Sequence, residues 1–205
     1  MGSSAWNVHV DRDSAKQTLA REIPAGLHIV AFSMGGYLAL EHTLANPQQV
    51  RSPVIVAASA RGLTTQEKVR RQRMLEQLSK RPYAGISTAQ LSAYLGPTSA
   101  EDSQATETII EMDRTFGGKV LQAQIRATME RPDLVSSLGA IGCPVLIVGS
   151  MRDNMVRAED LQEMNAYIPD CRLRLFEGPG HMIPLESPQQ LAMAISSFYE
   201  VLQLS

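Results

Sequence analysis

With 205 residues, 44% of them apolar and 20% charged, the chain has the size of one globular domain and can bury a full core. Its net charge of −2 argues against a nucleic-acid or membrane-surface role. No run of about eighteen apolar residues occurs and no charged-then-apolar start marks a signal peptide, so neither a membrane span nor secretion is expected and a cytoplasmic location is the default.

The elements are read in chain order from periodicity and punctuation. Residues 5–10 alternate apolar and polar, a strand signal. Asp13 or Ser14 caps a helix over about 14–23, ended by Pro24 and Gly26. Leu27 to Phe32 read as a buried strand, Gly35 to Ala45 as a helix stopped by Asn46-Pro47, and Val54 to Ala58 as another strand. Short links between strands and helices predict a parallel sheet with right-handed crossovers.

From about 62 to 135 only helical periodicity is present, over 64–80, 88–95, 100–115 and 117–130. The first of these carries Lys68, Arg70, Arg71, Arg73 and Lys80, most simply a solvated helix face. Strand and helix then alternate again: a strand over Cys143–Gly149, a helix over 157–168, a strand over Arg172–Glu177 and a terminal helix over 187–203. This divides the chain into a core of residues 1–61 and 136–205 and a helical cap of residues 62–135 over the carboxyl edge of the sheet.

Cys143 and Cys171 each sit just before or at an expected parallel strand and outside any metal spacing, so they are read as free thiols in a reducing compartment. No metal and no organic cofactor is implied.

The chemistry concentrates at strand ends. In Leu-His-Ile-Val-Ala-Phe-Ser-Met-Gly-Gly-Tyr-Leu-Ala-Leu, residues 27–40, an apolar strand runs into Ser33 and turns through Gly35 and Gly36 into an apolar helix. Such an elbow strains the serine backbone and lifts its hydroxyl clear of the sheet, while the glycines allow the turn and close helix–strand packing. Asp153 follows the strand that ends in Gly149, and His181 follows the last strand through Gly178-Pro179-Gly180. A serine hydroxyl needs a base to take its proton, and a histidine base needs a carboxylate to hold its tautomer. Asp160 and Asp170 lie at the wrong ends of their elements for that task. His9, His28 and His42 read as structural or exposed.

On Ala-Phe-Ser-Met-Gly-Gly, Gly-Ser-Met-Arg-Asp and Gly-Pro-Gly-His-Met-Ile-Pro-Leu-Glu-Ser-Pro, the chain resembles the α/β-hydrolase family over roughly residues 5–205. The resemblance implies an α/β fold, a mostly parallel sheet flanked by helices, with a helical lid. It implies Ser33 as nucleophile, His181 as general base, Asp153 as orienting acid and the Met34 backbone N–H as an oxyanion donor. Ala31 replaces the family's first elbow glycine. The family also has further strands ahead of the elbow, one ending in a loop that gives the second oxyanion N–H and pairing with the elbow strand. The 26 residues before Leu27 hold no such loop, so an amino-terminally truncated form is expected. Its elbow strand is then a sheet edge, to be covered by residues 5–10 or by a second copy in a homo-oligomer.

The activity implied is that of a serine hydrolase on a small carboxylic ester or lactone, with Met74, Leu75, Leu78, Leu91, Leu95 and Met112 available for an apolar acyl pocket. Members of the family also include C–C hydrolases, peptidases and cofactor-free haloperoxidases. The alternative is a weak or inactive truncated hydrolase fold that binds a small molecule or a protein.

Overall fold

The computed structural model of the chain describes residues 12–97 and 103–203. The strand expected over residues 5–10, and His9 with it, lie outside the described residues. Four strands, β1 (Leu27–Phe32), β2 (Val50–Val56), β3 (Val145–Ser150) and β4 (Cys171–Phe176), pair in that order in one parallel sheet. Phe32 stands opposite Val56 and Val56 opposite Val148, so the carboxyl ends of the strands line up along one edge. Strands β3 and β4 continue two residues farther, to the pair Ser150 and Phe176.

Alternation along the strands separates two apolar layers. Ile55, Val145 and Ile147 face helices α2 (Met34–Ala45) and α6 (Ala158–Tyr167), where Leu40, Leu161 and Met164 are fully enclosed. Val54, Val56, Leu146 and Val148 face the opposite way, onto Phe176, Ile183, Leu191 and Phe198. Leu191 and Phe198 belong to the terminal helix α8 (Pro188–Gln203). With both faces of the sheet covered, β2 and β3 read as continuous apolar runs, as parallel strands do. The first helix, α1 (Arg12–Glu22), lies against α2, where Lys16 approaches the buried Glu41 at 3.3 Å.

Among the described residues three α-helices intervene between β2 and β3: α3 (Thr65–Lys80), α4 (Thr88–Tyr94) and α5 (Ser103–Met129). Capping boxes start the first two, Thr64 with Glu67 and Ser87 with Gln90. The two helices expected over 100–115 and 117–130 run together as α5, kinked at Gly117, whose φ of 64° and ψ of −175° are not helical. A side chain at the neighbouring Gly118 would stand 2.6 Å from Cβ of Tyr83, so the bend fits closely over the loop after α3.

Other expectations need correcting. Strand β2 runs from Val50 to Val56 rather than from Val54 to Ala58, and it contains Pro53. Pairing with β3 begins only at Val54, so the missing Pro53 N–H removes no rung from that ladder. A 3₁₀ turn over Val135–Ala140 and the four-residue helix α7 (Ile183–Glu186) are too short for periodicity to reveal. Strand β1 is not fully buried. Among the described residues it stands at the sheet edge, with Leu27 41% and Val30 55% exposed. Cys143 and Cys171 are free thiols, both pushed up by burial, Cys171 to about 12. Among the described residues no helix is long and apolar enough to cross a membrane.

Candidate active site

Ser33 joins the last residue of β1 to the first residue of α2. Its φ of 51° and ψ of −119° put a residue with a side chain in a region that normally belongs to glycine. Its N–H donates to the carbonyl of Val56 at 2.9 Å, which anchors the turn to the neighbouring strand. The strain is held in place by packing three residues later. A Cβ at Gly36 would meet Cβ of Ala58 at 2.6 Å and Cγ2 of Ile55 at 3.3 Å. Gly35 does not share this role, because a Cβ there would meet no atom within 4 Å. The close helix–strand contact therefore rests on Gly36 alone. Ala31, in place of the family's glycine, packs against the core beneath α2.

The structure brings the three side chains expected from the sequence to one point. Ser33 Oγ lies 2.8 Å from Nε2 of His181, and Nδ1 of His181 lies 2.9 Å from Oδ2 of Asp153. The carboxylate accepts at Nδ1, so that nitrogen carries the proton and Nε2 is free to accept from the serine hydroxyl. Asp153 is 1% exposed at its side chain and His181 5%. The second carboxylate oxygen of Asp153 accepts from the N–H groups of Met155 at 2.7 Å and Val156 at 3.0 Å, the local turn that aspartate side chains favour. Met34 is the first residue of α2, so its N–H has no carbonyl one turn earlier to donate to and is available beside the serine.

Three further groups set the positions of these side chains. Ser150, the last residue of β3, donates its hydroxyl to the carbonyl of Pro179 and accepts from the N–H of Arg152 at 3.0 Å. It thereby ties the aspartate loop to the histidine loop. Glu186 accepts from the N–H of Gly180 at 2.9 Å and from the N–H of Gly96 at 2.6 Å. That links the histidine loop to the segment after α4. The backbone of that segment is in near contact with Gly180, where a Cβ would stand 2.4 Å from the Gly96 nitrogen. The carbonyl of Tyr94 accepts from the N–H groups of His181 and Met182, at 2.8 and 3.2 Å. The rings of Phe32 and Tyr94 lie 5.3 and 6.2 Å from the imidazole.

The remaining candidates fall elsewhere. Asp160 pairs with Arg157 and Arg61 on the side of α6. His42 is buried in α2, where the amide of Asn46 approaches its Nδ1 at 3.2 Å. His28 meets Ser52 at 2.7 Å and the Tyr199 ring at the amino ends of the strands. A cavity of about 740 Å³ there, lined by His28, Arg51, Pro144, Tyr199, Leu202 and Gln203, is at the opposite end of the sheet from Ser33. Of the residues available for an apolar pocket, Leu91 and Leu95 pack with Ala105, Ile109, Met182 and Leu185, joining the helical segment to the histidine loop. Met112 is 47% exposed. Among the described residues no group of His, Cys, Asp and Glu is arranged to hold a metal.

The model of the alpha/beta hydrolase family matches residues 2–194. The chain belongs to that family. Among curated proteins it is similar to the pimeloyl-[acyl-carrier protein] methyl ester esterase of Xanthomonas campestris pv. campestris. The two are 27% identical over 195 residues, which cover 90% of this chain and 74% of the relative. Its fold is similar to that of a thermophilic esterase from Thermogutta terrifontis, with a TM-score of 0.81 and 21% identity over 92% of this chain and 70% of the other. It is also similar to that of the enol-lactonase from Burkholderia xenovorans LB400, with a TM-score of 0.77 and 15% identity over the same shares of the two chains. Membership of the α/β-hydrolase family and these relatives are consistent with a carboxylic ester hydrolase.

Proposed function

We propose that this α/β-hydrolase cleaves a small carboxylic ester or lactone through an acyl-enzyme on Ser33. The observation that carries the reading is the continuous chain from Ser33 Oγ through His181 to Asp153, with contacts of 2.8 and 2.9 Å. Ser33 Oγ attacks the ester carbonyl carbon while His181 Nε2 takes the hydroxyl proton. Asp153 stabilises the imidazolium that forms. The carbonyl oxygen, now negative, receives the N–H of Met34 at the start of α2, where the helix dipole also favours negative charge. As the tetrahedral species collapses, the C–O bond to the alcohol breaks and Nε2 returns the proton to the departing oxygen. A water then gives its proton to His181 and attacks the acyl carbon, which releases the acid and restores Ser33.

Residues 62–135 act in this reading as a cap over the carboxyl ends of the strands. The relatives' names support esters and lactones as the substrate class. The two free thiols fit a cytoplasmic site of action. Pairing of two copies along the β1 edge completes the proposal, and light scattering that returns a monomer mass would remove that part.

A chromogenic short-chain ester assayed with the wild type and with Ser33→Ala tests the reading. The variant is expected to lose roughly 10⁴-fold or more in kcat. Equal rates would reject the esterase assignment in favour of a binding role for the fold.

A further inference from the structure

The main-chain N–H of His181 donates outside its own loop. Its acceptor, at 2.8 Å, is the carbonyl of Tyr94, the last residue of α4, and the N–H of Met182 donates to the same oxygen at 3.2 Å. One residue before the histidine, the N–H of Gly180 donates to Oε2 of Glu186 at 2.9 Å. That oxygen also accepts from the N–H of Gly96 at 2.6 Å. An anionic oxygen shared by two backbone donors makes a charge-assisted clamp. The base is therefore held at its own N–H and at the residue on either side of it, and each of these contacts involves the end of α4 or the residues just after it.

Between these hydrogen bonds the two backbones touch. A Cβ at Gly96 would stand 2.6 Å from the Gly178 oxygen, 2.7 Å from the Gly180 nitrogen and 2.9 Å from the Pro179 carbonyl carbon. All three neighbours are main chain, which does not swing aside as the end of a long side chain does. The buried side chain of Leu95 seals the contact by packing with Met182 and Leu185. On its other side the loop is held by Ser150, whose hydroxyl donates to the Pro179 carbonyl. Residues 178–180 are thus clamped between the end of β3 and the end of α4. The 2.8 Å contact from His181 Nε2 to Ser33 Oγ depends on where that loop stands. A shift of about 1 Å at reacting atoms can cost about 10²-fold in rate.

We infer that Gly96 is a positioning residue for the general base: it lets the end of α4 dock backbone to backbone on the histidine loop, and this docking keeps His181 in line with Ser33. The helical segment is then part of the apparatus that activates the serine as well as a wall for substrate. The inference rests on the reading of Ser33 as the nucleophile and His181 as its base.

Gly96→Ala tests this, because the added methyl must push the two backbones apart. On a chromogenic short-chain ester kcat is expected to fall about 10²-fold with KM little changed, and labelling of Ser33 by a fluorophosphonate to slow by a similar factor. Ile168→Ala is the control for stability alone. Ile168 is buried at the end of α6, towards the amino ends of the strands, so its truncation is expected to lower the unfolding midpoint and keep the wild-type kcat. Wild-type kcat in Gly96→Ala, or an equal loss in Ile168→Ala, would overturn the inference. If Gly96→Ala fails to fold, Leu95→Ala decides, since it loosens the same contact without a clash. A fall of about tenfold in kcat and in labelling rate is then expected, and wild-type values would overturn the inference. Ser33→Ala in the same assay reads the esterase assignment separately: an inactive Ser33→Ala beside a fully active Gly96→Ala would remove the positioning role and leave that assignment standing.

Discussion

Nδ1 of His181 stands 2.9 Å from Oδ2 of Asp153, a carboxylate whose other oxygen is already held by the N–H groups of Met155 and Val156. The backbone contacts fix the carboxylate, and the carboxylate fixes the imidazole tautomer. Asp153→Asn keeps the shape and removes the charge, and its amide can turn a donor towards Nδ1. With the proton forced onto Nε2, the base can no longer accept from Ser33. We expect kcat on a short-chain ester to fall by about 10⁴-fold with little change in thermal midpoint. A loss below tenfold would mean that Asp153 does not orient the base.

The two elbow glycines are expected to respond in opposite directions. At Gly36 an added methyl would stand 2.6 Å from Cβ of Ala58. Gly36→Ala should therefore destabilise the fold by about 1–3 kcal/mol through overpacking. At Gly35 an added methyl meets no atom within 4 Å, and the residue is helical. Gly35→Ala should raise stability by about 0.5–1 kcal/mol. Urea unfolding of both variants checks the contrast, and equal destabilisation would contradict it.

Glu186 joins the histidine loop to the segment after α4 by accepting from Gly180 and Gly96. Glu186→Gln exchanges an anionic acceptor for an amide whose NH₂ end has nothing to accept it. A loss of about 1–3 kcal/mol is expected, together with slower ester turnover as the imidazole loses its fixed position. Unfolding midpoints and kcat measured on the same preparation check this. Unchanged values of both would mean that the contacts are incidental.

His42 gives the fold an acid sensitivity that is separate from catalysis. Burial lowers its pKa from the ordinary 6.5, partly offset by the Gln49 side chain. The unfolded chain therefore binds a proton more readily than the folded one. Stability from this group is fully present above about pH 6.5 and is lost as pH falls through the lowered folded value. His42→Gln should flatten the fall in unfolding free energy between about pH 7.5 and pH 5. An unchanged slope would assign the acid sensitivity elsewhere.

The three candidate catalytic side chains were legible because each follows an apolar strand in a short glycine-containing segment. Strand register then aligns the three ends, which local pattern alone does not state. Contacts between segments distant in sequence were not legible. Nothing near Glu186 points to Gly96, and nothing near Ser150 points to Pro179. The basic run on α3 was read as one solvated face. That holds for the exposed Arg70, Arg73 and Lys80, but Arg71 is turned towards Thr128. A period of 3.6 residues separates faces by about 100° per residue, and charge alone does not say which face a neighbouring helix will cover. Gly35 and Gly36 look equivalent in sequence, and the positions of Ala58 and Ile55 separate them.

The central claim, that Ser33 is a nucleophile activated by His181, is tested most directly by covalent labelling with a fluorophosphonate followed by peptide mapping. The account predicts one adduct per chain, on Ser33, absent in Ser33→Ala and much slower to form in His181→Ala. An adduct on another residue, or ester turnover by a protein whose Ser33 stays unlabelled, would contradict it.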